Sequence, residues 1–205
     1  MLTIHEGSLL VRKTRLGVEA HLANRESYDP GPSDGSELWR KRGVFVTITS
    51  SSTETLRGCI GNPHPQHPLI VEAVQAGILA ATSDPRFNPV SLDEFRSSDR
   101  LELTVLSPLD QIRPSNLTKL TDLIVVGKHG LVVDGYGQQG LLLPQVAMDE
   151  GFDAEDFLTN CCLKAGLHPD AWLSDKVKVY RFTGQIFSER GPNGHTVERQ
   201  LRDPK

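Results

Sequence analysis

The chain has 205 residues, 38% hydrophobic and 23% charged, a little over one average domain at roughly 150 residues each and the composition of an ordinary globular protein. Its net charge of −4, from 22 Lys and Arg against 26 Asp and Glu, excludes the broad basic field that drives non-specific nucleic-acid binding. No apolar run approaches the ~20 residues that cross a bilayer. The opening Met1-Leu2-Thr3-Ile4-His5-Glu6 lacks the order of a signal peptide, and three irregularly spaced cysteines imply no disulfide framework, so a reduced, cytoplasmic chain is expected.

From Glu6 to Ala23 the spacing of Leu9, Leu16, Ala20 and Ala23 predicts an amphipathic helix, with Arg12, Lys13, Arg15 and Glu19 on its polar side. Residues Asn24 to Arg42 hold Pro30-Gly31-Pro32 and Asp34-Gly35, which forbid a continuous element and predict a long loop with a short turn near Trp39. Gly43 to Thr49 is a β-rich strand, and Leu56 to Ile60 reads as its hairpin partner. After the Pro- and His-rich loop from Asn62 to His67, Pro68 is suited to the first position of a helix. That helix, Leu69 to Thr82, is apolar almost all round and is expected to be buried. Leu101 to Val105 alternates like a half-buried strand. Three apolar runs, Ile124 to Val126, Leu131 to Val133 and Leu141 to Leu143, are separated by glycine-rich turns and predict a β-meander ended by Pro144. Asp153 is placed to cap a helix running to about Ala165, with a core face of Phe157, Leu158, Cys161, Cys162 and Ala165 and with Gly166 as its stop. Closing strands are expected around Val177, Val179, Ile186 and Phe187, followed by a frayed polar tail from Arg190 to Lys205. The order of elements gives an α+β fold with a mixed or mostly antiparallel sheet and flanking helices.

The chemistry concentrates in Leu56-Arg57-Gly58-Cys59-Ile60-Gly61. Because side chains alternate along a strand, Leu56, Gly58 and Ile60 should share the core face, and Arg57, Cys59 and Gly61 the other. That places a thiol beside a guanidinium, which favours the reactive thiolate, unless a bulge at a glycine breaks the alternation. Gly58 and Gly61, lacking Cβ atoms, would let a ligand approach the backbone. The competing reading is a lone cysteine packed as a small core hydrophobe. Asp84-Pro85-Arg86-Phe87 supplies a carboxylate that can brace or cap and an arginine that can clamp an anion, or simply a structural Asp–Arg pair. His129 falls on a turn. His64 and His67 are spaced for a metal or decorate the surface, while Cys161 and Cys162 belong to an apolar helix face. No metal motif is present, and no cofactor is expected. Gly135-Tyr136-Gly137-Gln138-Gln139-Gly140 matches a dinucleotide fingerprint as a string but precedes an apolar run where a helix is required.

Together, Leu56 to Gly61, Asp84 to Phe87, His129-Gly130-Leu131, the run GLLLPQVA from Gly140 to Ala147 and FLTNCCLKAGL from Phe157 to Leu167 resemble the AMMECR domain family. The resemblance runs from about Leu9 to Glu189 and leaves 190–205 as a tail, so the whole chain reads as one such domain. It implies two unequal lobes with a cleft between them. The site it implies comprises Arg57, Cys59, Asp84, Arg86 and His129, with Gln145 and Lys164 beside them. Association with Memo-type or radical-SAM proteins is also implied. The chain departs from the commoner family pattern in its Pro/His loop after Gly61 and at Gly151-Phe152-Asp153, where the family pattern has Trp before the Asp and this chain has Phe152.

Three functional readings stay open. In the first, an enzyme, Cys59 is nucleophile or proton donor, Arg57 and Arg86 hold a small anionic substrate, and His129 or Asp84 supplies acid–base chemistry, with Gly58, Gly61, Gln145 and Lys164 lining the cleft. The second is a non-catalytic adaptor or binding module. The third, RNA contact through Arg12, Lys13, Arg15 and Arg40-Lys41-Arg42, is disfavoured because no aromatic platform accompanies these charges.

Overall fold

Thr3 sets where the first helix begins. Its hydroxyl accepts from the Glu6 amide while the Glu6 carboxylate accepts from the Thr3 amide, a reciprocal cap that starts helix α1 at Ile4–Leu22. The computed structural model describes residues 1–24, 28–31 and 36–199. They form two compact units, the described residues of 1–106 with 185–199, and those of 107–184. The stretches 25–27 and 32–35 of the expected loop lie outside the described residues. Its described part contains one 3₁₀ turn, Ser36–Trp39.

In the first unit, strands β1 (Val44–Ser50) and β2 (Leu56–Asn62) form the expected antiparallel hairpin, and β3 (Asp99–Leu106) pairs with the other side of β1. Val44, Val46 and Ile48 on β1 and Leu101, Leu103 and Val105 on β3 all face one side and are fully buried. Helix α2 (Leu69–Thr82) covers that side, and α1 packs on α2. Pro68 stands one position earlier than expected: it is the cap residue itself, with extended ψ, and α2 starts after it. A short helix, α3 (Leu92–Ser97), precedes β3, capped by Ser91 and anchored by the buried Phe95. Six residues carry too little periodicity to be seen in the sequence.

The face that α1 buries differs from the expected one. Gly7, Leu10, Val11, Thr14 and Val18 point inward, whereas Leu16 is 45% exposed. Glycine makes this face: a Cβ at Gly7 would lie 2.1 Å from the Phe187 ring, and one at Gly17 would lie 2.5 Å from Val74. A hydrophobicity count cannot see an inward face built on close approach. Arg15, expected on the polar side, is buried as well.

In the second unit, β5 (His129–Gly135) pairs with β6 (Gln138–Leu142) and with the first part of β7 (Val177–Glu189), to which the short β4 (Asp110–Ile112) adds. The meander therefore loses its first run. Ile124 to Val126 follows two 3₁₀ turns and is not a strand, and Val125 is half exposed. Pro144 ends β6 as expected but also opens an unforeseen short helix, α4 (Pro144–Asp149). Helix α5 (Ala154–Lys164) has the expected Asp153 cap, reinforced by Asp156, and Gly166 takes the left-handed φ of 72° beyond its end. Phe157, Leu158, Cys161 and Cys162 are buried against Leu131, Val133 and Leu142. A Cβ on Gly140 would lie 2.4 Å from the Cys161 carbonyl oxygen, so this glycine sets how closely α5 lies on β6.

The closing strands are one strand. β7 continues through Gly184, and its last residues, from Ile186, lie in the first unit and pair with β8 (Thr196–Arg199). The tail is thus partly ordered, because Gln185 on β7 bonds both Leu2 and Glu198. The fold is α+β: β1 pairs antiparallel with β2 and β3, β5 with β6 and β7, and β7 with β4 and β8. Among the described residues no helix is long and apolar enough to cross a membrane.

Candidate functional site around Cys59

Strand β2 ends the strand order of its sheet. An edge strand presents backbone groups to solvent that need partners or protection. At Cys59 those partners are side chains. The Cys59 amide donates to Asp84 Oδ2 at 2.9 Å, and the Cys59 carbonyl accepts from Arg86 Nη2 at 3.2 Å. Since both backbone groups point away from β1, Cys59 and its cross-strand partner Thr47 form the narrow type of antiparallel pair, whose side chains approach closely. Accordingly Thr47 Oγ1 donates to Cys59 Sγ at 3.4 Å. The thiol is half-buried and lies on the face opposite Val46 and Ile48.

Asp84 and Arg86 lock each other. Arg86 Nε and Nη2 donate to the two Asp84 oxygens at 2.9 and 2.7 Å, and the Arg86 amide adds a third bond at 3.2 Å. With the Cys59 amide this makes four hydrogen bonds to one carboxylate. The Arg86 bonds above all hold the Asp84 carboxyl well below the usual carboxylate range, and the same bonds push the guanidinium up. Asp84 is therefore a fixed anion with its acceptor capacity in use, a poor geometry for carrying protons. The Asp84 side chain is 2% exposed and that of Arg86 55%. The Arg86 guanidinium also lies 5.2 Å from the centre of the Phe87 ring, and its hydrogen bonds among the described residues use Nε and Nη2 but not Nη1.

Arg57 does not share the thiol's face. The register slips between Ile48 and Thr49, so that Ile48 faces Gly58 and Thr49 faces Leu56, and Arg57 is the extra residue of a bulge. Leu56 is consequently turned out, 37% exposed, instead of lying in the core. Arg57 reaches α3, where its Nε donates to Glu94 Oε1 at 2.8 Å and its Nη2 pairs with the same oxygen at 2.8 Å. That bond pushes the guanidinium up. The expected alternation thus fails through a bulge, as the sequence analysis allowed, but the bulge falls at Arg57 and not at either glycine.

The two glycines also differ from expectation. A Cβ on Gly58 would lie 2.0 Å from the Ala80 carbonyl oxygen, and one on Gly61 would lie 2.4 Å from Phe45 Cγ. The protein itself fills both spaces, with α2 over Gly58 and the Phe45 ring over Gly61, so close packing, not ligand approach, is what they permit.

His129, Gln145 and Lys164 belong to the second unit. His129 opens β5, and its Nδ1 accepts from the Val125 amide at 3.0 Å. Burial, then Arg181 and Lys128, push its imidazole below the ordinary histidine range. Gln145 lies in α4 with Oε1 buried and unbonded, and Lys164 ends α5 exposed. Cys161 and Cys162 are core residues as read from the sequence. Burial, with Cys162 beside it, pushes the Cys161 thiol up to about 12, and burial raises Cys162 too. His67 Nδ1 lies 3.4 Å from buried Glu72, which also accepts the Gln66 and His67 amides and so organises the Pro/His loop. Among the described residues no three His, Cys, Asp or Glu side chains are grouped to hold a metal ion. The sequence reading missed Thr47 and Glu94. Thr47 was recoverable from the hairpin register; Glu94 was hidden because α3 itself was.

An antiparallel α+β chain with a half-buried thiol clamped at a sheet edge defines a class, and the sequence places it more narrowly. It matches the AMMECR1 family over residues 11–187, and the chain belongs to that family. It is 42% identical to protein MJ0810 of Methanocaldococcus jannaschii over 205 residues, covering 98% of each chain, and 40% identical to protein MK0488 of Methanopyrus kandleri, covering 98% of this chain and 97% of that one. The crystal structure of PH0010 from Pyrococcus horikoshii superposes with a TM-score of 0.88 at 41% identity, over 95% of this chain and 97% of that one.

Proposed function

We propose that the Cys59 edge is a thiol site for a small anionic ligand, with Cys59 Sγ as the reacting atom. Arg86 is the anion contact, Asp84 the positioning residue, and Thr47 the hydroxyl that orients the sulfur. One observation carries this reading: the Asp84–Arg86 pair ties down both backbone groups of Cys59, fixing the sulfur on an accessible face beside a guanidinium with a free donor. A merely structural strand edge needs its backbone satisfied; it does not need a half-buried thiol beside an exposed arginine.

The test uses the full chain and two alkylating reagents of opposite character, anionic iodoacetate and neutral iodoacetamide, read by peptide mass spectrometry at pH 7. Cys59 is expected to be modified at least tenfold faster than Cys161 or Cys162. The iodoacetate-to-iodoacetamide rate ratio at Cys59 should exceed that of free cysteine several-fold, and inorganic phosphate should lower it. A ratio equal to that of free cysteine, unaffected by phosphate, overturns the reading.

That result would favour the second reading, a non-catalytic binding module. The observation behind it is that Thr47 is the only described side chain hydrogen-bonded to the thiol, so no acid–base group among the described residues is hydrogen-bonded to it. A protein partner of Memo or radical-SAM type belongs to this reading.

A further inference from the structure

Asp99, the first residue of β3, has no exposed surface, and neither carboxylate oxygen has a hydrogen-bond partner among the described residues. It pairs with Ser50 across the sheet. A buried carboxylate left unbonded is costly if charged, and the groups around it define the charge it meets. From α1, Arg15 donates to the backbone carbonyl of Asp99 at 2.8 Å, not to its carboxyl. The rest of that guanidinium is committed to Glu189 on β7, at 2.7 and 2.5 Å, to the Phe95 carbonyl at 3.1 Å, to the Phe95 ring face at 4.4 Å, and more distantly, at 3.9 Å, to Glu19, which Arg96 also pairs with. Glu189 in turn accepts the Leu101 amide. From α3 comes Glu94 and from β2 comes Arg57, already paired with each other. Arg100, next in sequence, pairs with Glu54.

Arg15 balances Glu189 and Arg57 balances Glu94. Asp99 is the odd charge. Burial first, then Glu94, push its carboxyl up to about 6, while Arg57 and Arg15 pull the other way. Of the two cations only Arg57 can move. Its side chain is 21% exposed, its Nη1 is uncommitted, and it springs from a bulge rather than from a regular ladder.

We propose that Arg57 is a shared cation in a pH-sensitive switch: it pairs with Glu94 while Asp99 is protonated, and turns to Asp99 when Asp99 ionises. The exchange relocates a charge at the bulge two residues before Cys59. It stands apart from the thiol chemistry, since nothing in it requires Cys59 to react.

The experiment is an NMR titration of the full chain from pH 4.5 to 7.5, following the Asp99 carboxyl carbon and the Arg57 Nε resonance. Both should titrate together with a midpoint near 6. In Asp99→Asn the Arg57 resonance should stay flat across the range. In Glu94→Gln, made at a part-exposed position that carries little of the fold, the Asp99 midpoint should fall by at least one pH unit, because the opposing charge is gone and Arg57 is free. An Arg57 signal that does not move in the wild type, or that moves unchanged in Asp99→Asn, overturns the switch. So does an Asp99 midpoint at or below 4.

Discussion

Replacing Asp84 by Ala tests the clamp directly. The substitution removes an acceptor of four hydrogen bonds, so the Cys59 amide loses its only partner at the edge of the sheet and Arg86 its counter-ion. Arg86 is more than half exposed and water can replace much of what it loses, so the ion pair itself counts for little. The part-buried Cys59 amide recovers less easily: an unsatisfied buried donor costs about 1–3 kcal/mol, and hydrogen bonds to a charged acceptor about 1.5–3 kcal/mol each before such compensation. A net loss of about 3 kcal/mol follows, which for a chain of this size lowers Tm by roughly 6–12 °C. Asp84→Asn keeps the shape and one acceptor and should lose about half as much. The pH dependence has a sign. The Asp84 carboxyl is held below its unfolded value, so its stabilisation is complete above about pH 4 and drains away as pH falls further. Asp99 works in the opposite direction, its contribution present below about pH 4 and lost as pH rises through about 6, so the two windows separate. The assays are thermal denaturation at pH 7 and hydrogen exchange at the Cys59 amide. An Asp84→Ala protein with unchanged Tm and equally slow exchange at Cys59 would refute the clamp.

Two further substitutions probe the frame that holds the site. Gly58→Ala places a Cβ 2.0 Å from the Ala80 carbonyl oxygen; with backbone on both sides and no flexible side chain to yield, α2 must lift from β2, and urea denaturation should show a loss of at least about 3 kcal/mol, beyond the usual overpacking range of about 1–3. Glu189→Gln leaves Arg15, 3% exposed, with only the more distant Glu19 carboxylate at 3.9 Å as counter-charge, and should cost about 3 kcal/mol, the low end of what broken buried pairs cost. A change below about 1 kcal/mol in the same measurement would show that the pair is replaced by other contacts.

What the sequence made legible is what local chemistry alone determines. The α5 boundaries followed from Asp153 as cap and Gly166 as stop, because both signals act within a few residues of the helix end. The β1–β2 hairpin followed from β-rich runs about a turn apart. What stayed hidden depends on partners distant in sequence. The inward face of α1 is set by Phe187 and Val74 pressing on glycines, and Arg15 is buried only because Glu189, 174 residues away, meets it. Likewise Ile124 to Val126 has strand composition, but no neighbouring strand pairs with it, and composition without a partner gives a loop.

The same distinction sorts the candidate residues. Cys59 and Asp84-Pro85-Arg86 were visible as residue types, yet their grouping is a consequence of strand order: only at an edge do two outward backbone groups need side-chain partners, and only there can one Asp and one Arg supply both. Arg57 shows the converse. It is adjacent in sequence, two positions from Cys59, and a single inserted residue in the hairpin directs it to α3 and Glu94 instead. Proximity along a strand is thus a weaker guide to a shared site than the hydrogen-bonding state of the backbone. That principle makes the hydrogen bond from the Cys59 amide to the Asp84 carboxylate, more than the arginine beside the cysteine in sequence, the interaction on which the thiol's placement depends.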